Sequence, residues 1–78
     1  MATKVYLLMV TSLRENRGVV ETLRGMEGIE SVDLVTGPYD IIAVIVGSSV
    51  DEVGKLITKK IHTVQGVVRT ITSVVVEV

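Results

Sequence analysis

The chain has 78 residues, 47% of them hydrophobic, a formal net charge of −1, no cysteine, no Phe or Trp and two Tyr. That length allows one small domain, and the lack of cysteine excludes a disulfide framework or a thiolate metal site. A net charge of −1 argues against an autonomous electrostatic grip on DNA, which calls for a basic face, and so small a domain without staples must pack very efficiently or oligomerise.

The opening MATKVYLLMV has no cationic region followed by a long apolar stretch and cleavage site, so it does not read as a signal peptide. No apolar run approaches the roughly 18 residues of a membrane span. A cytoplasmic protein is expected.

No linker, repeat or low-complexity tract interrupts residues 1–78, which read as a single domain. Residues 4–10, KVYLLMV, are apolar at both parities, as in a central strand covered on two faces. Ser12 and Glu15 have the spacing of a capping box and predict a helix start. In that helix Val19, Val20, Leu23 and Met26 form one stripe, with Glu21 and Arg24 facing water, and Gly28 is the expected stop. In IESVDLV, Val32 and Leu34 alternate with Ser31 and Asp33, the pattern of an edge strand.

After the turn TGPYD, residues 41–46 are apolar throughout and predict a second central strand. Ser49 and Glu52 repeat the capping-box spacing. The helix they open puts Val53, Leu56, Ile57, Ile61 and Val64 on one face and Lys55, Lys59 and His62 on the other, with Gly66 as its end. Residues 67–78 predict a long last strand. The order βαββαβ, with the two wholly apolar strands in the central places, predicts an α+β, ferredoxin-like sandwich: a four-stranded antiparallel sheet with two helices on one face. Two helices cover only one side of such a sheet. The other presents Tyr6, Leu8 and Val10, or their opposite-parity neighbours, with half of residues 41–46. An aliphatic face of that kind is larger than monomers usually expose, so the sheets are expected to pair face to face in a two-fold dimer.

Few residues suit catalysis. A single histidine and no cysteine exclude a Cys–His pair, and His62 falls opposite the apolar stripe of its helix, which argues against a Ser–His–Asp triad. The acids are scattered, so no metal site is expected, and no glycine-rich phosphate motif is present, so no nucleotide cofactor is expected. Asp40 stands apart, at the mouth of a turn beside Tyr39. It reads either as an Asx-type turn residue bonded to local backbone N–H groups, or as a carboxylate for a ligand ammonium. Gly37, before Pro38, is biased to an extended conformation and admits close backbone approach. Thr70, Thr72 and Ser73 place hydroxyls in a valine-rich strand. They read as ordinary strand polarity or as hydrogen-bonding groups for a small ligand.

The run V-x-L-V-T-G-x-Y-D-I-I-A-V at residues 32–44 and the segment G-V-x-R-T-x-T-S at residues 66–73 resemble the effector-binding (RAM) domain of Lrp/AsnC transcriptional regulators. The resemblance implies sheet-paired dimers assembling into octamer- or decamer-like rings, with an amino acid or related small effector bound between dimers. Carried over by position, the ligand-binding residues are Gly37, Tyr39, Asp40, Ile41, Thr70, Thr72 and Ser73. The first strand begins close to Met1, so the chain is similar to stand-alone RAM proteins that lack a helix-turn-helix, do not bind DNA directly and act through full-length Lrp/AsnC partners. Pro38 departs from a simple carry-over because it removes one backbone N–H from the turn. Three alternatives stand beside a sensor: an adaptor without its own ligand, an ACT-like sensor reading TSLRENRG, and a dimeric α+β barrel enzyme.

Overall fold

A computed structural model describes residues 2–76 of the chain. In chain order it contains β1 (Thr3–Thr11), α1 (Asn16–Arg24), β2 (Ile29–Leu34), β3 (Ile41–Gly47), α2 (Val50–Leu56) and β4 (Val67–Val74). A π-helical turn, Ile57–Ile61, continues α2. The strands form one antiparallel sheet in the order β2-β3-β1-β4, which is the ferredoxin-like arrangement. No helix among the described residues is long and apolar enough to cross a membrane.

Alternation fixes which side of the sheet is the core. Val5, Leu7 and Met9 of β1 and Ile41, Ala43 and Ile45 of β3 are wholly buried. They pack with Val32 of β2 against Val19, Val20 and Leu23 of α1 and Val53, Ile57 and Ile61 of α2 and its π turn. Burial of each Val, Leu, Ile or Met side chain among them stabilises the fold by about 1.5–3 kcal/mol relative to exposure. Helix α1 is tied down further where Arg24 Nη2 donates to the carbonyl of Val32 at 2.8 Å.

The even-numbered residues of β1 and β3 make the uncovered face. There Leu8 lies between Ile42 and Ile71, and Tyr6 between Val44 and Ser73. Val10 and Val46 extend the patch along the same strands, and all of these side chains are only partly covered. Polar residues frame it: Ser31 and Asp33 on β2, Arg69 and Ser73 on β4. Tyr6 is 41% exposed, and the Lys4 ammonium lies 5.5 Å from its ring centroid.

Several helix boundaries differ from the sequence expectation. α1 begins at Asn16, and Ser12 does not cap it, because the Ser12 carbonyl takes the Glu15 N–H at 3.0 Å while the Ser12 N–H donates to the carbonyl of Gly66 at 2.8 Å. The backbone of Ser12 is thus held by Gly66, at the entry to β4, outside the helix. α1 ends at Arg24, and Gly28 serves as the entry to β2, its carbonyl accepting from Val46 N–H at 2.9 Å. The second cap forms as expected: Ser49 Oγ accepts from the Glu52 N–H at 3.1 Å, and Ser48 Oγ donates to the Glu52 carboxylate. Gly66 follows the helix end by several residues, at φ +100 on the way into β4. The sheet pairing of β4 persists to Val75, whose N–H donates to Lys4; residues 77 and 78 of the expected strand lie outside the described residues.

Candidate functional site

The TGPYD segment connects β2 to β3, closed by a bond from the Val35 N–H to the Asp40 carbonyl at 2.9 Å. Gly37 takes φ +115, a conformation glycine reaches without the Cβ penalty. The expected extended bias at this pre-proline position is therefore not what the turn uses. Asp40 is bound to the neighbouring strand twice. Its N–H donates to the Met9 carbonyl at 2.9 Å, and its Oδ2 accepts the Thr11 N–H at 2.9 Å.

That second bond spans 29 residues in sequence, so Asp40 is not a local Asx-turn residue. It closes the end of β1 just where the strand's register shifts between Val10 and Thr11. The arrangement holds the carboxylate by one oxygen and leaves Oδ1 without a protein donor among the described residues. Asp40 and Tyr39 are both half-buried. Beside them Thr11 is 8% exposed, and its hydroxyl has no hydrogen-bond partner among the described residues.

The last strand lies on the far side of β1. Ile41, Met9 and Thr70 stand in one row across β3, β1 and β4, so the turn and Thr70 are separated by about 10 Å, two strand spacings. Thr70 and Thr72 project to the helix side with Met9 and Leu7, whereas Ser73 projects to the open face beside Tyr6. A single chain therefore places Gly37, Tyr39 and Asp40 in one turn, with the expected ligand residue Ile41 instead wholly buried in the core, and does not gather Thr70, Thr72 and Ser73 onto them.

Thr70 has a partner that sequence reasoning missed. His62 Nε2 and Thr70 Oγ1 are 2.8 Å apart, which ties the end of the π turn to β4. His62 is exposed, as its helical phase predicted, but the sheet edge on its flank is invisible to that phase. Thr72 and His62 also line a cleft of about 240 Å³ between α2 and β4, floored by Val5, Val53 and Ile57.

Antiparallel βαββαβ topology, one apolar sheet face left open and an anchored carboxylate at a strand junction define a ferredoxin-like domain whose candidate site is not a self-contained pocket. The chain belongs to the Lrp/AsnC ligand binding domain family, which it matches over residues 6–78. It is 31% identical over 58 residues to an uncharacterised HTH-type transcriptional regulator of Pyrococcus horikoshii, a match covering 74% of this chain and 39% of that protein. The chain thus corresponds to well under half the length of that curated relative. Among solved structures, a Thermus thermophilus protein superposes with a TM-score of 0.92 at 25% identity, covering 97% of this chain and 95% of the other. A Neisseria meningitidis transcriptional regulator, solved as a complex with L-Met, shares the fold at a TM-score of 0.87 and 13% identity, with coverage of 96% and 50%.

Proposed function

We propose that this domain is an effector-binding and oligomerisation module in transcriptional regulation of amino acid metabolism, and that it takes an amino acid or related small effector. The observation that carries the reading is Asp40, anchored through one oxygen by Thr11 and open at the other. Such a carboxylate is oriented before the ligand arrives and suits a ligand ammonium. The L-Met complex of the Neisseria neighbour supports an amino acid as the class of effector. Thr70, Thr72 and Ser73 lie too far from Asp40 within one chain to meet the same small ligand. Their contribution comes from another protomer, at an interface between dimers paired through the open sheet face. The chain itself does not read DNA: its net charge is −1, and its regulatory effect passes through co-assembly with full-length relatives.

Native mass spectrometry of the chain, alone and with a pooled amino-acid mixture, tests this directly. The expected result is an even-numbered oligomer that gains ligand mass in proportion to its subunits, and loses that gain in Asp40→Ala. An oligomer that gains no mass, with no calorimetric heat for any amino acid, overturns the sensor reading. Two observations then favour a ligand-free adaptor: Pro38 supplies no N–H to the turn, and the Thr70 hydroxyl is already taken by His62. Mixed oligomers with a full-length family member are the signature of that adaptor.

A further inference from the structure

Away from the sheet, an open groove of about 700 Å³ runs between α1 and the π turn with the loop that follows it. Three cations line it: Arg14 from the turn before α1, and Lys59 and Lys60 from the π turn. The π geometry, in which His62 N–H bonds back to the Ile57 carbonyl at 2.9 Å, brings two consecutive lysines to one wall. Such turns are rare in helices and recur at functional places.

Glu15 is the single carboxylate in the lining, and among the described residues it forms no salt bridge with these cations. Its Oε1 accepts from Gln65 Nε2 at 3.2 Å, and Oε2 is packed against Gly66, within 2.6 Å of where a Cβ would stand. Lys59 and Lys60 also border the adjoining depression that contains Glu27 and Glu52, yet no salt bridge forms among the described residues. Three cations against one carboxylate leave the lining with a positive balance, against a chain whose net charge is −1.

The remaining lining adds shape and hydrogen-bonding character. Gly18 sits within α1 with nothing within 4 Å of an added Cβ, so no packing contact requires glycine there, and its bare backbone widens the groove. The Thr22 hydroxyl donates to the Gly18 carbonyl and the Thr63 hydroxyl to the Lys60 carbonyl, both at 2.8 Å. Their protons are engaged, which leaves the oxygens as acceptors.

We infer that this groove binds a phosphorylated small molecule that also carries hydrogen-bond donors, of the nucleoside-phosphate class. Arg14 supplies a planar fork for phosphate oxygens and the two lysines supply point charges. The volume lies within the usual range of small-molecule sites. The site shares no residue with the Asp40 turn, so it stands or falls separately from the effector reading.

The test is a titration of the ¹⁵N-labelled chain with inorganic pyrophosphate and with ADP, followed by backbone amide shifts. Saturable shifts confined to Arg14, Gly18, Lys59, Lys60 and Thr63 are expected, with ADP adding shifts at Thr22. Affinity should fall at least tenfold in the double variant Lys59→Gln/Lys60→Gln and in Arg14→Gln, should weaken with added salt, and should be unchanged in Lys55→Gln and in Asp40→Ala. Circular dichroism confirms that each surface variant is folded. Unsaturable shifts spread over every lysine, or affinity unaltered in the double variant, would overturn the inference. So would binding of poly-glutamate in the groove when pyrophosphate and ADP do not bind.

Discussion

Replacing Leu8 by aspartate probes the open sheet face at its centre. Leu8 is half-buried in the isolated chain, between Ile42 and Ile71, and a two-fold contact would bury both copies together. Completing that burial adds roughly half of the 1.5–3 kcal/mol of full burial for each copy, so about 1.5–3 kcal/mol for the pair. Two aspartates at the same place must also be stripped of water without a partner, at a cost of at least about 1–3 kcal/mol each, the mutational figure for an uncharged polar group, and more for a carboxylate that stays ionised. The dimer should therefore weaken by about 4 kcal/mol or more, close to a thousandfold in Kd. Sedimentation equilibrium measures that shift, and circular dichroism should report an unchanged monomer fold. Leu7→Asp, one residue away but wholly buried against the helices, should unfold the chain instead. An unaltered dimer in Leu8→Asp would refute the face-to-face pairing, and tolerance of Leu7→Asp would refute the assignment of the core side.

Other outcomes follow from single contacts. Asp40→Ala leaves the Thr11 N–H without its charged acceptor and should cost about 1–3 kcal/mol in urea denaturation, with Asp40→Asn recovering part of it. Ser49→Ala should cost about 1 kcal/mol through the lost cap, whereas Ser12→Ala should change stability by only a few tenths, because its side chain caps nothing; equal losses would restore the capping box at Ser12. Gly66→Ala should destabilise by about 2 kcal/mol or more, since φ is +100 and the new Cβ would meet Glu15 Cβ at 2.6 Å. Gly54→Ala, within α2 and with nothing within 4 Å of the new Cβ, should stabilise by about 0.5–1 kcal/mol in the same assay.

What the sequence revealed and what it hid divide along the range of the interactions. The unbroken apolar runs of β1 and β3 announced the two central strands, because burial on both faces leaves a mark at every position. The stripe Val53, Ile57 and Ile61 announced a helix, though not the π turn within it, since a spacing of four suits either geometry. Ser12 misled because its backbone is held by Gly66, a partner 54 positions away that no capping pattern contains. The same holds at the candidate site. Asp40 stood out as an acid at a turn, but its bond to Thr11 depends on the register of β1 against β3. The His62–Thr70 contact depends on where a helix ends over a sheet edge. Nothing local encodes either pairing.

The scarcity of aromatic residues has a practical side. With no tryptophan or phenylalanine and only two tyrosines, all near-ultraviolet absorption and intrinsic emission of this chain arise from Tyr6 and Tyr39. One ring stands on the open sheet face beside the Lys4 ammonium, the other in the turn that precedes Asp40. Subunit pairing would change the surroundings of the first, and effector capture those of the second. A Tyr6→Phe or Tyr39→Phe variant would silence one signal at a time, so assembly and ligand occupancy could be followed separately in the unlabelled protein.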